Sequence, residues 1–297
     1  EHTSSVIERI QESGVSDAVK SGISELLSGV DQAQVGSVEG GEAPSEVDIL
    51  HVPQGEKLEG DPGSKIIILD PNSEGANIEI TVDTPRIIVG SQQSDRIVHT
   101  GDSPVTIETG GGNDSINTGK GDDIITLTGE GQPTVDTGGG SDKIIITGEN
   151  IATINTGLGD DIIHLATDKG NYTVDAGKGF DKVFIDDKKE AHHITIQDGK
   201  VIVSSAPTEI NNVEVIEFQD GITVIAEDFE KAIVARLYKV LFDREADLEG
   251  LKYWFSKLDE GLSLKEIGEA FVHSEEFAEK YKGIGDVGFL VELYDNM

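Results

Sequence analysis

Between Lys65 and Ala226 the chain runs in short β-branched stretches, such as Ile66-Ile67-Ile68-Leu69, Asn77-Ile78-Glu79-Ile80 and Arg86-Ile87-Ile88-Val89, each closed by Gly, Asp, Asn or Pro. Apolar runs of this length between turn formers predict many short strands. After Glu227 the period changes. Phe229, Ile233, Leu237 and Leu241 fall at i, i+4, and Leu251, Trp254, Phe255 and Leu258 follow, which predicts packed helices. Ahead of the strands, Val6, Ile7, Ile10, Val15, Val19, Ile23, Leu26 and Leu27 are spaced as in short amphipathic helices, with Ser16 placed to cap one before Asp17. The Gly/Ser/Glu/Pro-rich stretch around Gly36–Pro44 reads as a linker. These patterns divide the chain into a helical segment (1–36), a flexible linker (37–64), a strand region (65–226) and a helical domain (227–297).

The strand region is a repeat. Ile116-Asn-Thr-Gly-Lys-Gly-Asp-Asp123-Ile-Ile125-Thr-Leu127 aligns without gaps on the segments starting at Val135, Ile154 and Val174, and the phased residues Asp123, Asp142, Asp161 and Asp181 lie 19, 19 and 20 residues apart. Each unit is therefore one coil of a solenoid. Alternation along the strands points Ile125 and Leu127, Ile144 and Ile146, Ile163 and Leu165, and Val183 and Ile185 inward. Thr126, Ile145, His164 and Phe184 point out. A fifth turn, Gly110-Gly-Gly-Asn-Asp114, precedes Asp123 by nine residues, half a coil, which puts Asp114 on the opposite edge.

The turns carry the candidate chemistry. Each pairs two glycines with an aspartate: Gly119, Gly121 and Asp123; Gly138, Gly140 and Asp142; Gly157, Gly159 and Asp161; Gly177, Gly179 and Asp181. Glycine leaves carbonyl oxygens unobstructed, and Asp adds a carboxylate. Calcium takes six to eight oxygens at about 2.3–2.6 Å, so one turn cannot complete a site. Turns stacked about 4.7–4.9 Å apart can share an ion. Four stacked turns leave three gaps, and the expectation is about three Ca2+ ions along one edge. On the other edge only Asp114 has the full spacing, and few or no ions are expected there. Asn117, Asp136, Asn155 and Asp175, each two residues before a first glycine, are expected to form a side-chain hydrogen-bond ladder capping backbone groups.

Charge fits this chemistry. The 297 residues carry 23 Lys+Arg against 57 Asp+Glu, a formal charge of −34, and 36 of them are Gly against a usual share of about 7 %. A surface this anionic repels phosphate backbones and anionic lipid, which excludes nucleic acid as a partner. No apolar run approaches the roughly 20 residues of a membrane helix, so no membrane insertion is expected. Cysteine is absent. Sequence contexts for a nucleophile elbow, a phosphate loop or an HExxH zinc site are also absent, and no enzymatic activity is expected. His192-His193 reads as an exposed pair on a strand.

The tandem turns Gly110-Gly-Gly-Asn-Asp114-Ser-Ile116 and Thr118-Gly-Lys-Gly-Asp-Asp123-Ile-Ile125 resemble the G-G-x-G-x-D-x-U-x nonapeptide of the RTX (repeats-in-toxin) family. The sequence then departs from that pattern, since alternate turns lose the motif and the coil lengthens beyond 18 residues. The resemblance implies a right-handed parallel β-roll with calcium-binding turns, exported unfolded by type I secretion from a Gram-negative bacterium. A second resemblance covers roughly 235–282. Ala235-Arg-Leu-Tyr-Lys-Val-Leu-Phe-Asp-Arg-Glu-Ala-Asp-Leu-Glu-Gly250-Leu-Lys-Tyr-Trp254 and Ser274-Glu-Glu-Phe277 look like a helical domain of unknown function found in bacterial surface and secreted proteins. Within it Ser263 and Glu266 form a capping box, and Ser274 and Asp247 are N-caps. The bundle core is expected from Phe229, Leu237, Leu241, Trp254, Leu258, Ile267, Phe271 and Phe277.

The expectation from the sequence is a mostly β protein with a C-terminal all-α bundle, secreted or held on the bacterial cell surface. It is expected to act as a calcium-dependent structural or adhesive component of a surface layer or adhesin, with self-association or a surface polysaccharide as its partner. The alternative is a non-catalytic, calcium-stabilised module of a larger secreted hydrolase or toxin.

Overall fold

The computed structural model describes residues 15–26, 34–37, 48–52, 57–59, 65–69, 75–167, 169–197, 200–203, 208–226 and 228–296. The expected helical positions Val6, Ile7, Ile10 and Leu27 and the stretch 38–47 lie outside the described residues. The chain divides into two units, Glu1–Ile222 and Thr223–Met297.

The first unit is a parallel β-solenoid of about six turns. One sheet takes, in spatial order, Gln34–Ser37, Asp48–Val52, Ile66–Leu69, Arg86–Val89, Val105–Glu108, Ile124–Leu127, Lys143–Ile146, Ile162–Leu165, Lys182–Ile185, Val215–Phe218 and Gly221–Val224. The other runs from Lys57–Glu59 through Asn77–Ile80, Arg96–His99, Ser115–Asn117, Thr134–Asp136, Ile151–Asn155 and Asn171–Asp175 to Thr208–Asn211. It ends in the antiparallel strands Lys200–Val203 and Ile194–Gln197.

Register follows the repeat. Ile125 pairs Ile144, Ile144 pairs Ile163 and Ile163 pairs Val183, all fully buried. From the facing sheet, Ile116, Val135, Ile154, Val174 and Ile210 form the opposing ladder. A one-residue slip would move every one of these side chains to the outside, and each buried Ile or Val contributes about 1.5–3 kcal/mol, so the register is strongly fixed. Ile145, His164 and Phe184 face outward and are half-buried, as expected. Thr126 shares that outward register but is buried.

Helix α1 (Asp17–Leu26) lies against Arg86–Val89 and Val105–Glu108 and buries Val19 and Ile23. Ser16 caps it, its Oγ accepting from the Val19 N–H at 3.4 Å, and the Ser16 N–H donates to the Glu108 carboxylate at 2.7 Å. The expected linker needs correction. Residues 48–52 and 57–59 are strands, and Asp48–Val52 pairs in parallel with Ile66–Leu69. The short apolar run Ile49-Leu50-His51-Val52 suffices once a neighbouring coil offers an open edge, which composition averaged over the segment conceals.

The second unit comprises α2 (Phe229–Phe242), α3 (Leu248–Asp259), α4 (Leu264–Val272), α5 (Glu275–Lys280) and α6 (Asp286–Asp295). Asp247 caps α3, Ser263 and Glu266 form the capping box of α4, and Ser274 caps α5. The expected core needs one correction, because Phe229 is 74 % exposed. Helix α2 turns Val234, Tyr238 and Leu241 inward instead, at i, i+4 and i+7, against Leu251, Phe255, Ile267 and Phe271.

Candidate metal centre

All four glycine turns lie on one edge of the solenoid, between the second sheet and the first, and Asp114 lies on the other. Asp123, Asp142, Asp161 and Asp181 occupy successive coils of one column and are at most 1 % exposed. Their carboxylates form a ladder with the backbone. Asp123 Oδ1 accepts from the Val105 N–H, Asp142 Oδ1 from Asp123, Asp161 Oδ1 from Asp142 and Asp181 Oδ1 from Asp161, each at 2.8 Å. Each aspartate thus caps the coil before it. The residue ahead of it can cap the coil after: exposed Asp122 Oδ1 accepts from the Ser141 N–H at 2.7 Å and half-buried Asp160 Oδ1 from the Phe180 N–H at 2.8 Å.

The second oxygens are different. Oδ2 of Asp123, Asp142, Asp161 and Asp181 is buried without a hydrogen-bond partner. An unsatisfied buried acceptor costs about 1–3 kcal/mol and more when charged. Burial, reinforced by neighbouring carboxylates, accordingly pushes these groups up from 3.8, Asp123 to about 6, Asp142 to about 7 and Asp181 to about 8, with Asp161 raised as well. Two ionised carboxylates about 5 Å apart repel by about 3 kcal/mol at an effective dielectric of about 20. A threonine column runs beside them: Thr118 Oγ1 donates to the Thr137 carbonyl at 3.3 Å, Thr137 to Thr156 at 3.1 Å and Thr156 to Ala176 at 2.9 Å.

The paired glycines have a stacking requirement of their own. A Cβ on Gly159, at φ +127°, would sit 1.8 Å from the Gly140 carbonyl oxygen, and one on Gly179 1.7 Å from that of Gly159. The carbonyls of Gly119, Gly138 and Gly157 accept N–H groups from Gly139, Leu158 and Lys178 of the next turn at 3.1, 3.1 and 2.8 Å. Gly121, Gly140 and Gly177 carry the same close backbone contacts.

Among the described residues no three His, Cys, Asp or Glu side chains converge on one point. A hard cation here would draw on one carboxylate from each of two turns, on backbone carbonyls and on water. The donor set fits that requirement: the carboxylates of the column are hard oxygen donors, and their unpartnered Oδ2 atoms recur once per coil.

The opposite edge is built otherwise. Asp114 Oδ1 accepts from the Asp95 N–H at 2.9 Å, and its buried Oδ2 is also unpartnered. Asp95, however, is satisfied by Ser91, whose N–H donates at 2.7 Å. One coil further on the column meets Pro133, which has no side-chain oxygen to accept the Asp114 N–H. Among the described residues Asp114 Oδ2 is the one orphaned carboxylate oxygen there, beside the buried amide of Asn150, whose Oδ1 and Nδ2 are also unpartnered, against four orphaned carboxylate oxygens on the first edge.

Two features were missed in the sequence. Glu214 continues the column, its Oε2 accepting from the Asp181 N–H at 2.7 Å. The available signal was its position just ahead of the alternating strand Val215-Ile216-Glu217-Phe218, the same place that Asp123 holds before its strand. The threonine column was legible as Thr118, Thr137 and Thr156 recurring before three of the four first glycines, with Ala176 before the fourth. The Asn/Asp series lies outside, exposed or half-buried, and bonds side chain to side chain rather than to the backbone, with Asn155 Nδ2 3.4 Å from Asp136 Oδ1. His192 precedes the strand rather than lying on it, and its side chain is 2 % exposed, 3.3 Å from Asp187.

The family described as a domain of unknown function (DUF4214) matches residues 223–281, the helical unit up to α5 and without its last helix α6. No curated protein and no solved structure matches the chain. No described helix is long and apolar enough to cross a membrane.

Proposed function

We propose that the solenoid is a calcium-dependent structural or adhesive module of a secreted or surface-held bacterial protein, folding when the glycine-turn edge binds calcium outside the cell. The observation that carries this is the file of buried, unpartnered Oδ2 atoms of Asp123, Asp142, Asp161 and Asp181. A buried carboxylate oxygen without a donor is costly, and a divalent cation shared between coils relieves it. Calcium supplies the countercharge; the protein supplies alternating carboxylates, carbonyls opened by glycine and a rigid spacing set by the sheets. Three ions between four turns remain the stoichiometry for the glycine motif.

Extracellular calcium modules bind at about 10⁻⁴ to 10⁻³ M, so such a column stays charged and open at cytosolic calcium and closes outside. The surplus of 57 acidic over 23 basic residues supports that reading, since it favours an expanded chain until cations arrive. A helical unit of the kind found beside it would then attach or extend the module, with a second copy or a surface polysaccharide as its partner.

Circular dichroism during a calcium titration, repeated after chelation, tests the proposal. The strand signal is expected to rise with calcium and fall with EDTA. A strand signal fully formed in EDTA, with a melting temperature unmoved by millimolar calcium, would refute it.

A further inference from the structure

We propose that the cation row extends beyond the glycine motif, with Glu214 giving its carboxylate to a fourth calcium site shared with Asp181. The inference rests on the calcium reading above and deepens it.

Glu214 reaches the column from far along the chain. After Lys182–Ile185 the parallel order is interrupted by the antiparallel strands Ile194–Gln197 and Lys200–Val203, and it resumes with Thr208–Asn211 and Val215–Phe218, which pair in parallel with Asn171–Asp175 and Lys182–Ile185. The joining residues Asn212, Val213 and Glu214 contain no glycine. Asn212 takes the left-handed conformation at φ 54°, and its Nδ2 donates to Asp175 Oδ1 at 2.7 Å, so asparagine closes the turn that glycine closes elsewhere.

The result reproduces the rung. Glu214 is 4 % exposed and takes the Asp181 N–H at 2.7 Å, against 2.8 Å in the aspartate rungs. Asp181, fully buried, keeps an unpartnered Oδ2 like its predecessors. The two carboxylates therefore bracket a gap in line with those between the glycine turns, with the unpartnered oxygen on the Asp181 side. The difference is in cover. Three residues, 212–214, face the six of turn 176–181, and the Asp181 carbonyl already accepts the Glu214 and Val215 N–H groups at 3.1 and 3.2 Å. Fewer protein oxygens are left, so this ion keeps more water and exchanges faster than those in the glycine-lined gaps.

The alternative is that Glu214 only caps the column, accepting one N–H. Glu214→Gln separates the two, because the amide oxygen still accepts from Asp181 while the charge is gone. Bound calcium per chain is counted by native mass spectrometry and equilibrium dialysis on the full chain. We expect four ions in the native protein and three in E214Q, with melting in EDTA unchanged. Three ions in both, or four in both, overturns the fourth site. Should E214Q fail to fold, Asp181→Asn decides: it removes two ions if Asp181 serves gaps on both sides, and one if Glu214 is only a cap. A native protein that binds no calcium at all would instead refute the broader reading, before Glu214 is altered.

Discussion

Asp161 Oδ1 accepts the backbone N–H of Asp142 at 2.8 Å, across one full coil of the solenoid. Under the calcium proposal each aspartate of the column has two jobs: one oxygen locks adjacent coils together without any metal, and the other, buried without a hydrogen-bond partner, would take the cation.

The two jobs separate by substitution. Asp142→Ala removes the acceptor of the Asp123 N–H, so it should lower stability by about 1–3 kcal/mol with or without calcium. Asp142→Asn keeps a carbonyl acceptor and loses the charge. It should melt like the native protein in EDTA but lose about two of the bound ions and shift the calcium midpoint upward. Equal behaviour of the two variants in EDTA would show that the rung carries no stability.

Stability without metal should depend on pH in an unusual direction. Burial pushes Asp114 to about 7, Asp123 to about 6, Asp142 to about 7 and Asp181 to about 8, from 3.8. Between about pH 4 and pH 8 the folded state then holds protons that the unfolded chain has released. Stability in EDTA should fall as pH rises through that window, by up to about 1.4 kcal/mol per pH unit for each proton involved. With saturating calcium the trend should flatten or reverse, because the ion replaces the protons. Urea denaturation at several pH values in EDTA checks the sign, and stability that rises with pH would contradict the buried-carboxyl account.

Glycine positions within one turn should differ sharply. Gly159→Ala places a Cβ 1.8 Å from the Gly140 carbonyl at a φ of +127°, and should prevent the coil from closing. At Gly139 the nearest atoms to an added Cβ are 3.5 and 3.6 Å away, so Gly139→Ala should change stability by no more than about 0.5 kcal/mol. Thermal melts followed by far-ultraviolet circular dichroism compare them, and a tolerated G159A would disprove the stacking requirement.

In the helical unit, Phe271→Ala should cost about 3–5 kcal/mol. Its ring is 3 % exposed and lies within 5.0–5.8 Å of Tyr238, Trp254 and Phe242. Phe229→Ala should cost under about 0.5 kcal/mol, given its exposure. Trp254 is the only tryptophan of the chain, so its fluorescence reports unfolding of this unit apart from the solenoid. A large loss at Phe229 would mean that this ring is buried by a partner.

The sequence by itself determined the solenoid, its 19- or 20-residue coil, the inward ladder from Ile125 to Ile185 and the edge shared by Asp123, Asp142, Asp161 and Asp181. These are local and repeated: alternation fixes which face is apolar, and phase fixes which turns stack. It also set the caps at Ser16, Asp247, Ser263 and Ser274, where one side chain meets a backbone group three residues away. Only the tertiary structure decided what the turns touch. That Asp142 reaches back to Asp123 while Asp122 reaches forward to Ser141 depends on side-chain direction between coils, which spacing does not encode. That Glu214 joins the column depends on the parallel order resuming after the antiparallel strands Ile194–Gln197 and Lys200–Val203, and that Ile49–Val52 forms a strand depends on an edge presented by another coil. Helix α2 shows the same limit: two apolar stripes run along it, and the neighbours it packs against choose Val234, Tyr238 and Leu241 over Phe229.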